Sequence, residues 1–517
     1  MCIDAVLQVV VRLNHFYISQ YFIVCFFMQA SVDGVSLFLI SDRGSVLYFS
    51  ALKQLAVVST LLFITSAYAS ERGVSEPTRE QAKPKNVVLI IGDGMDDHQI
   101  TIARNYLKGV RGRLVLDEMP VRASVQVLTV DNDKPTVPVY VADSANSATA
   151  MATGQVTSRG RIATSAGDDV DLQTIVELAT QAGLKTGIVT TSSVTDATPA
   201  SFVAHVSLRI CEGPDTMFFE YQGIAIDCRA DQLANGGKGS IAEQIAMSGL
   251  DVVLGGGAKH FTANAESKQM SVEELATASG FQVIHDKQAL LSAKPQQKLM
   301  GLFAQSHLPI RTTGEAGRRA EAPEPSILNR IHWSQGDVEL PSAMDCVANP
   351  EYGDTPAIQL MTRKALDILN WENDKGFFLV IESASIDKQS HERNPCGSIG
   401  ELEQLDETLA EVLMFTESNP NTLIMVTADH GQAAQMIPDK SLFSAFGVPV
   451  YTPGKLARIK MPDGTVMAVN YATNNFVAEE HTGVAVPLYA NDEAIGLVKT
   501  LITQPDIFEI TRTYLGL

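Results

Sequence analysis

The stretch of sequence that decides the fold reads Asn86-Val-Val-Leu-Ile-Ile-Gly-Asp-Gly94. The five residues after Asn86 form an apolar run of strand length, which is typical of a strand buried on both faces of a parallel sheet. An amphipathic helix is predicted shortly afterwards, over residues 99–107. Asp93 therefore follows the carboxyl end of a strand, where open α/β sheets bind their ligands.

The same alternation of strand and helix recurs along the chain. Further strands are predicted over 186–191, 251–254, 299–303, 377–381 and 422–427, and further helices over 172–182, 356–371 and 398–415. Strands that alternate with helices predict an α/β fold, in which helices cover both faces of a central, mostly parallel sheet. We therefore expect three layers, a sheet between two layers of helices.

The first 70 residues read differently from the rest of the chain. An apolar run over 55–66 follows Lys53 and ends in Ala67-Tyr68-Ala69, which is typical of a secretory signal peptide and its cleavage site. The run is too short for an ordinary membrane span. We expect a signal peptide over 46–69, a polar lead-in over 70–85 and no membrane anchor in the mature protein. Residues 1–45 are either an over-extended start or a real leader.

Length and composition limit both the domain organisation of the chain and the kinds of partner that it can bind. We expect a single domain over 86–517, with surface insertions within about 213–350, where turns and charges are frequent. The 517 residues are 45% hydrophobic, which is ample for a buried core and excludes a disordered or fibrous protein. The 59 acidic residues outnumber the 39 Lys and Arg, giving a net charge of -20. Such a surface should repel nucleic acid and anionic membranes, so an anionic substrate needs a local cationic site.

Four cysteines remain after the expected cleavage, at positions 211, 228, 346 and 396. An even number in an exported chain favours two disulfides. Three connectivities are open, of which the local pairing of Cys211 with Cys228 and Cys346 with Cys396 is the simplest. A zinc-thiolate site is disfavoured, because no C-x-x-C spacing occurs.

Carboxylates and imidazoles follow several predicted strands. Asp93 follows the first strand, Asp429-His430 follows the strand over 422–427, and Glu382 follows the strand over 377–381. Asp387 and His391 come next, four residues apart and hence on one face of a helical turn. Mixed Asp and His ligands suit zinc, whereas oxygen ligands such as Asp, Thr and Glu suit magnesium. The pattern indicates two kinds of metal at one edge of the sheet.

Ser144 stands in Val141-Ala-Asp-Ser-Ala-Asn-Ser-Ala-Thr-Ala150, just before an Ala-rich stretch that predicts a helix. Backbone N–H groups and the positive end of the helix would surround its hydroxyl, which favours a serine that becomes phosphorylated. The simpler interpretation is a helix cap. Each Asp and His at these strand ends, and each Arg or Lys proposed as a site residue below, also has a simpler interpretation, as a turn residue or as part of a solvated surface ion pair. Their joint position at strand ends favours the functional interpretation.

Six motifs in the same order resemble bacterial alkaline phosphatase from Lys85 to the end of the chain. They are Asp93-Gly-Met95, Asp143-Ser144-Ala145, Asp196-Ala-Thr-Pro199 through His205 to Arg209, Glu382-Ser-Ala-Ser-Ile-Asp-Lys-Gln-Ser-His391, Thr427-Ala-Asp-His430 and Glu480-His-Thr-Gly483. The resemblance implies an alkaline-phosphatase-like αβα sandwich. It also implies hydrolysis of phosphate monoesters with broad specificity, two zinc ions and one magnesium ion per subunit, a homodimer, and a periplasmic or secreted location.

The resemblance also implies a role for each matched residue. Ser144 would be the nucleophile that becomes phosphoserine, and Arg209 would hold two phosphoryl oxygens as a bidentate fork. Asp196 and Lys388 would tune the magnesium water and the phosphate. The implied metal ligands are Asp387, His391 and His481 for the first zinc, Asp93, Asp429 and His430 for the second zinc, and Asp93, Thr198 and Glu382 for magnesium. Three divalent cations outweigh these carboxylates, so a local positive site exists within an acidic protein.

Two rival functions follow from the same residues. A diesterase or sulfatase could share the metal centre, but Arg209 would clash with a second ester group. A silent phosphate-binding protein could keep the metals, but it would need no nucleophile at Ser144. The sequence departs from the family pattern at Leu208, Asn146 and Ser383, none of which is an implied ligand. These departures leave rate and substrate preference open.

Overall fold

The strand Asn86–Gly92 lies in the middle of a ten-stranded sheet, and Val87 to Ile91 are fully buried. The computed structural model describes residues 26–31, 34–40, 46–48, 84–266, 268–449 and 451–517. Because both faces of this strand are covered, an unbroken apolar run satisfies all of its positions. The first quoted stretch is therefore the central strand of the molecule's main core.

The strands of the central sheet are numbered here along the chain. They are β1 (Asn86–Gly92), β2 (Val121–Gln126), β3 (Lys185–Ser193), β4 (Val252–Gly256), β5 (Phe281–Ile284), β6 (Lys298–Leu302), β7 (Phe377–Ser383), β8 (Thr422–Ala428), β9 (Val486–Ala490) and β10 (Leu501–Thr503). Their spatial order is β5-β6-β4-β3-β7-β1-β8-β9-β2-β10. All neighbouring pairs are parallel except those that β9 makes with β8 and β2.

Helices cover the sheet in two groups. The helices Asp97–Lys108, Ile358–Asn370 and Pro395–Ser418 pack together in one group, and Ser144–Thr153, Ile175–Gln181, Ala197–Ala200 and Gln504–Leu515 pack together in the other. The other described helices are Ile241–Ala246, Ala258–Phe261, Val272–Ala278, Lys287–Ser292, Ile327–Ile331 and Ser385–His391. The predicted α/β fold with a mostly parallel sheet between helices is confirmed.

All six predicted strands are present, each within two residues of its predicted bounds. The helix predicted over 172–182 is shorter, Ile175–Gln181, because Thr174 caps its start by accepting the Glu177 N–H. Four strands of the sheet, β2, β5, β9 and β10, were not among the predictions. Two of them, β5 and β10, are the edge strands of the sheet, and both are short and partly exposed.

The stretch of about 213–350, expected to carry surface insertions, contributes β4, β5 and β6 to the central sheet. A small antiparallel pair, Phe218–Tyr221 with Ile224–Asp227, precedes β4 in the chain. Two more lie between β6 and β7, Thr312–Gly314 with Cys346–Ala348 and Glu324–Pro325 with Val338–Glu339. Three further strands, Gln435–Ile437, Lys455–Lys460 and Val466–Tyr471, form a sheet of their own. Disulfides join Cys211 to Cys228 and Cys346 to Cys396, so the simplest of the three pairings is confirmed.

Residues 83–517 form one compact unit, and residues 1–82 form another. In the second unit, Phe26–Ser31, Gly34–Ile40 and Val46–Tyr48 pair as a small antiparallel sheet. The predicted signal peptide, beyond residue 48, and the lead-in up to residue 83 lie outside the described residues. Among the described residues, none of the helices combines the length and apolar character that crossing a membrane requires.

Candidate active site

The register of three neighbouring strands brings the predicted carboxylates together. Gly92 of β1 pairs with Ser383 of β7 on one side and with Ala428 of β8 on the other. Asp93 and Asp429 therefore leave the sheet side by side, and Glu382 lies one residue before the end of β7. All three side chains are buried. The parallel sheet thus brings to one edge carboxylates that lie more than 300 residues apart in the sequence.

Asp387, His391 and His481 form the first ligand group, with ligand atoms within 4.8 Å of one another. His391 Nε2 lies 3.3 Å from Asp387 Oδ2 and 3.0 Å from His481 Nε2. Each Nδ1 faces a carbonyl oxygen, Glu479 O for His391 and Ala142 O for His481. Because a carbonyl can only accept, each Nδ1 carries a proton, so Nε2 is the ring atom of each histidine that faces Asp387 and is left to bind a metal ion. This is the arrangement that a zinc ion requires.

The Asp387 carboxylate lies between these two imidazoles. Burial would raise its pKa, but hydrogen bonds from His391 and His481 outweigh burial and hold the pKa well below its usual range. Gln432 Nε2 also donates to Asp387 Oδ1 at 2.6 Å. The carboxylate is therefore ionised and fixed in orientation, as a metal ligand must be.

Asp93, Asp429 and His430, the predicted ligands of the second zinc, lie together next to Ser144 and are named the second ligand group; the ligand atoms of Asp93 and His430 also lie within 4.8 Å of Asp387. His430 Nε2 lies 3.5 Å from Asp93 Oδ1, 3.4 Å from Asp429 Oδ2 and 3.2 Å from Ser144 Oγ. Burial lowers the pKa of His430 to about 4, so its imidazole is neutral at pH 7. A neutral ring can bind a metal ion through Nε2. The serine hydroxyl thus lies at the edge of this group.

Ser144 is the first residue of the helix Ser144–Thr153 and is buried. Asp143 caps the helix by accepting the Asn146 N–H at 3.1 Å, and Gly154 ends it with a φ of +72°. Ser144 itself is not the cap, so the simpler interpretation of this residue does not hold. Its hydroxyl instead lies at the positive end of a ten-residue helix.

Glu382 and Thr198 supply side-chain oxygens to the buried region that also contains Asp93. Thr190 Oγ1 donates to Glu382 Oε2 at 2.5 Å, and Ser192 Oγ donates to the same atom at 3.1 Å. Burial and the nearby Asp196 carboxylate raise the pKa of Glu382 to about 7, and the Thr198 hydroxyl acts in the opposite direction. The structure therefore brings the three residues of the expected magnesium site into one buried region.

Arg209, Asp196 and Lys388 form an ion-pair chain that reaches the serine loop. Arg209 Nη1 donates to Asp143 Oδ2 at 3.1 Å, and Nη2 donates to Asp196 Oδ1 at 3.2 Å. Lys388 Nζ donates to Asp196 Oδ2 at 2.6 Å. Burial opposes ionisation of Asp196, but Lys388 and Arg209 hold its pKa far below the usual range. The guanidinium is thus held against Asp143, the residue before Ser144, and the ammonium is held against Asp196.

The residues fit bound cations on a further observation. The buried polar atoms of the described residues that have no hydrogen-bond partner of normal geometry include three oxygens of this region, namely Asp93 Oδ1, Asp429 Oδ2 and Thr198 Oγ1. Buried polar atoms are normally hydrogen-bonded, and leaving them unpaired costs roughly 1–3 kcal/mol each. All three belong to the expected ligand sets. A divalent cation would satisfy them, and oxygen and imidazole donors are the ligands that magnesium and zinc prefer.

Sequence reasoning missed several residues that hold the site. Asp143 anchors Arg209, Gln432 orients Asp387, and the Glu479 carbonyl orients His391. His307 Nδ1 lies 3.8 Å from Asp196 Oδ2. Asp143, directly before Ser144, and Gln432 and Glu479, each two residues from a proposed ligand histidine, had a signal in the sequence, which was their position beside a proposed site residue.

Fold and site together define a class of protein, an α/β enzyme with metal-ligating groups and a buried serine at the carboxyl edge of its sheet. The family model for alkaline phosphatase matches residues 84–517. The chain is 39% identical to an alkaline phosphatase of Escherichia coli (strain K12), over 84% of this chain and 86% of that relative. It is 38% identical to a streptomycin-6-phosphate phosphatase of Streptomyces griseus, over 89% and 96%. The chain belongs to the alkaline phosphatase family and is a phosphoric monoester hydrolase.

Solved structures show the same fold. Alkaline phosphatase from the Antarctic bacterium TAB5 superposes with a TM-score of 0.59 at 22% identity, covering 84% of this chain and 99% of that chain. The Thermus thermophilus enzyme gives 0.58 at 20% identity, covering 86% and 95%. The family is metal-dependent, and a TAB5 mutant has been solved with bound Mg.

Proposed function

We propose that this chain hydrolyses phosphate monoesters through a phosphoserine on Ser144, with two zinc ions and one magnesium ion in each subunit. The observation that carries the proposal is the position of the Ser144 hydroxyl, 3.2 Å from His430 Nε2 and at the start of a buried helix. The second ligand group contacts the hydroxyl through His430, and Arg209 is bound to Asp143, the residue before Ser144.

Ser144 Oγ attacks phosphorus in the first step, and the ester P–O bond breaks as the alcohol leaves with a proton. In the second step water attacks the phosphoserine, the Ser144 Oγ–P bond breaks, and inorganic phosphate is released. Backbone N–H groups at the start of the helix Ser144–Thr153 favour the negative charge of the bound phosphoryl group. Neither step calls on a histidine as the base for the serine, since His430 belongs to a ligand group.

Arg209 binds two nonbridging phosphoryl oxygens and thereby selects a monoester. Its side chain is held by Asp143 and Asp196, which use one N–H of each Nη and leave the others for the phosphoryl oxygens. A diester would present an ester oxygen and its substituent where the guanidinium expects a bare oxygen. Asp196 and Lys388 are positioning residues, since the ion pair between them fixes the charged side chains next to Arg209.

The ligand roles follow the grouping in space. Asp387, His391 and His481 would hold the first zinc, Asp93, Asp429 and His430 the second, and Asp93, Thr198 and Glu382 the magnesium. Bound there, the cations would supply Lewis acidity that lowers the pKa of the serine hydroxyl and offsets the charge on the transferring group. Asp93 belongs to two sets, in keeping with its position between Asp429 and Glu382 and with a pKa that burial raises well above normal.

We propose the same organisation for the whole chain as for its family: a signal peptide over 46–69, a lead-in over 70–85, a single domain over 86–517, and a homodimer in the periplasm or outside the cell. Two disulfides support folding in an oxidising compartment. Residues 83–517 cluster as one compact unit, which supports a single domain. Sedimentation of the mature protein tests the homodimer.

Hydrolysis of p-nitrophenyl phosphate, compared with bis(p-nitrophenyl) phosphate and measured with and without a chelator, tests the activity. We expect turnover of the monoester, loss of turnover with chelator, and little turnover of the diester. Ser144→Ala should abolish turnover while the metal content stays the same. Full turnover in that variant would exclude the phosphoserine route, and chelator-insensitive turnover would exclude the role of the cations.

A further inference from the structure

A buried ion pair between Arg393 and Glu479 lies beside the first ligand group. Arg393 Nε donates to Glu479 Oε1 at 2.7 Å, and both side chains are at least 97% buried. The other two nitrogens of the guanidinium donate to Phe476 O at 2.8 Å and to Val477 O at 3.0 Å. Glu479 Oε2 accepts from the backbone N–H of Thr473 at 3.0 Å and from its hydroxyl. The charges are thus paired, and each polar end has further partners.

This pair joins the two chain segments that supply the imidazoles of the first ligand group. Arg393 follows His391 by two residues, and Glu479 precedes His481 by two residues. Two hydrogen bonds that involve the backbone also connect these segments: Glu479 N donates to His391 O at 3.0 Å, and His391 Nδ1 donates to Glu479 O. The segments are 90 residues apart in sequence at these histidines. The ion pair therefore links the two segments within two residues of each imidazole.

Apolar packing does not hold the second segment in place. Phe476 and Val477, whose carbonyls accept from Arg393, expose 70% and 80% of their surface. Arg393 also has a φ of +59°, in the left-handed region that is unfavourable for a residue with a Cβ. A buried ion pair is seldom more stabilising than an apolar pair of the same size. Both features are costs to stability, which points to a role in function.

We propose that the Arg393/Glu479 pair is a positioning device that sets how tightly the first ligand group holds its metal. It fixes the two segments so that His391 Nε2 and His481 Nε2 converge on Asp387, 3.0 Å from each other. Neither residue touches the reacting atoms. The inference rests on the proposed function for the identity of the ligands. Its consequence is separate, since it concerns metal retention and does not concern turnover.

Substitution of groups that orient metal ligands usually lowers metal affinity about 10- to 100-fold. Arg393→Lys keeps the positive charge but cannot donate to Glu479 and both carbonyls at once. Glu479→Gln keeps the size and loses the charge. For each zinc-loaded variant, the chelator concentration that removes half of the most weakly held zinc is measured. We expect both variants to need about 10- to 100-fold less chelator than the wild type.

A matched control comes from the Arg104/Asp117 pair, which is bidentate at 2.7 Å, is largely buried and touches no proposed ligand. Arg104→Lys and Asp117→Asn should release zinc as the wild type does. Melting temperatures, measured with excess zinc, separate loss of stability from loss of metal affinity. Wild-type zinc retention in Arg393→Lys and Glu479→Gln, whatever their melting temperature, overturns the proposal.

Two further variants complete the test. If a single variant fails to fold, Arg393→Met/Glu479→Met removes both charges together, which buried pairs often tolerate. The proposal expects weaker zinc retention in this double variant, and wild-type retention overturns it. His481→Ala tests the ligand assignment itself: unchanged zinc retention there would refute the proposed function of that histidine, independently of the Arg393/Glu479 pair.

Discussion

Replacing Arg209 with alanine should remove the cation that orients the phosphate and leave the fold largely intact. The guanidinium uses two of its five N–H groups on Asp143 and Asp196, at 3.1 and 3.2 Å, so donors remain for two phosphoryl oxygens. A hydrogen bond to a charged group contributes about 1.5–3 kcal/mol. Two such bonds in the transition state amount to about 3–6 kcal/mol, which corresponds to a loss in kcat/KM of about 10²- to 10⁴-fold.

The assay is hydrolysis of p-nitrophenyl phosphate by wild type, Arg209→Lys and Arg209→Ala at equal metal content. Lysine restores a charge without the planar fork, so Arg209→Lys should fall between the other two. The melting temperature should change little, because Asp143 keeps its bonds from the Gly160 and Asn146 N–H groups and Asp196 keeps its bond from Lys388. A loss smaller than tenfold in Arg209→Ala, with metal content unchanged, would refute the phosphate-binding role.

Three further predictions concern stability and metal binding. Replacing Cys346 and Cys396 together with serine should lower the free energy of unfolding by about 4 kcal/mol, because the disulfide closes a 50-residue loop; an unchanged denaturant midpoint would contradict this. Burial raises the pKa of Glu401 from 4.5 to about 7, so its stabilising contribution is complete below pH 4.5 and is lost as the pH rises through 7. That loss amounts to about 3 kcal/mol. Glu401→Gln should therefore flatten the pH dependence of the free energy of unfolding between pH 4.5 and pH 7. A pH profile parallel to that of the wild type would exclude Glu401 as the titrating group. Gly94→Ala should weaken zinc retention against a chelator, because Gly94 has a φ of +66° and the added Cβ would lie 3.1 Å from Asp387 Cβ; retention equal to wild type would show that the loop adapts.

The interior of the fold could be predicted from the sequence because its central strands are apolar over most of their length. In β1, β7 and β8 every residue is buried, and the sequence shows an unbroken apolar run. The strand β9 is equally buried but contains Pro487, which argues against a central strand. It is tolerated because β9 is the one antiparallel strand of the sheet and the Pro487 carbonyl accepts from the Thr427 hydroxyl. A local pattern cannot reveal such a partner.

The residues of the candidate site likewise fall into those that the local sequence pattern could predict and those that it could not. Asp93, Glu382 and Asp429 lie at or directly after strands, so sequence order alone brought them to one edge of the sheet. Arg209 lies outside any described helix or strand, and only its resemblance to a family motif singled it out. Arg393 and Glu479 each lie two residues from a proposed ligand, but nothing in the sequence indicates that they pair, because an ion pair between segments 86 residues apart depends on tertiary packing.

Electrostatics links the site to the acidic composition of the chain. Asp93, Glu382, Asp387 and Asp429 are each at least 95% buried, within one region of a protein whose net charge is already -20. Burial and the neighbouring carboxylates raise the pKa of Asp93 well above normal, so in the absence of cations this region retains protons. Divalent cations replace those protons and leave a local positive charge, which attracts a phosphate dianion that the rest of the surface repels. Metal binding should therefore release protons, and its affinity should rise with pH until Asp93 and Glu382, whose pKa values are raised, are ionised.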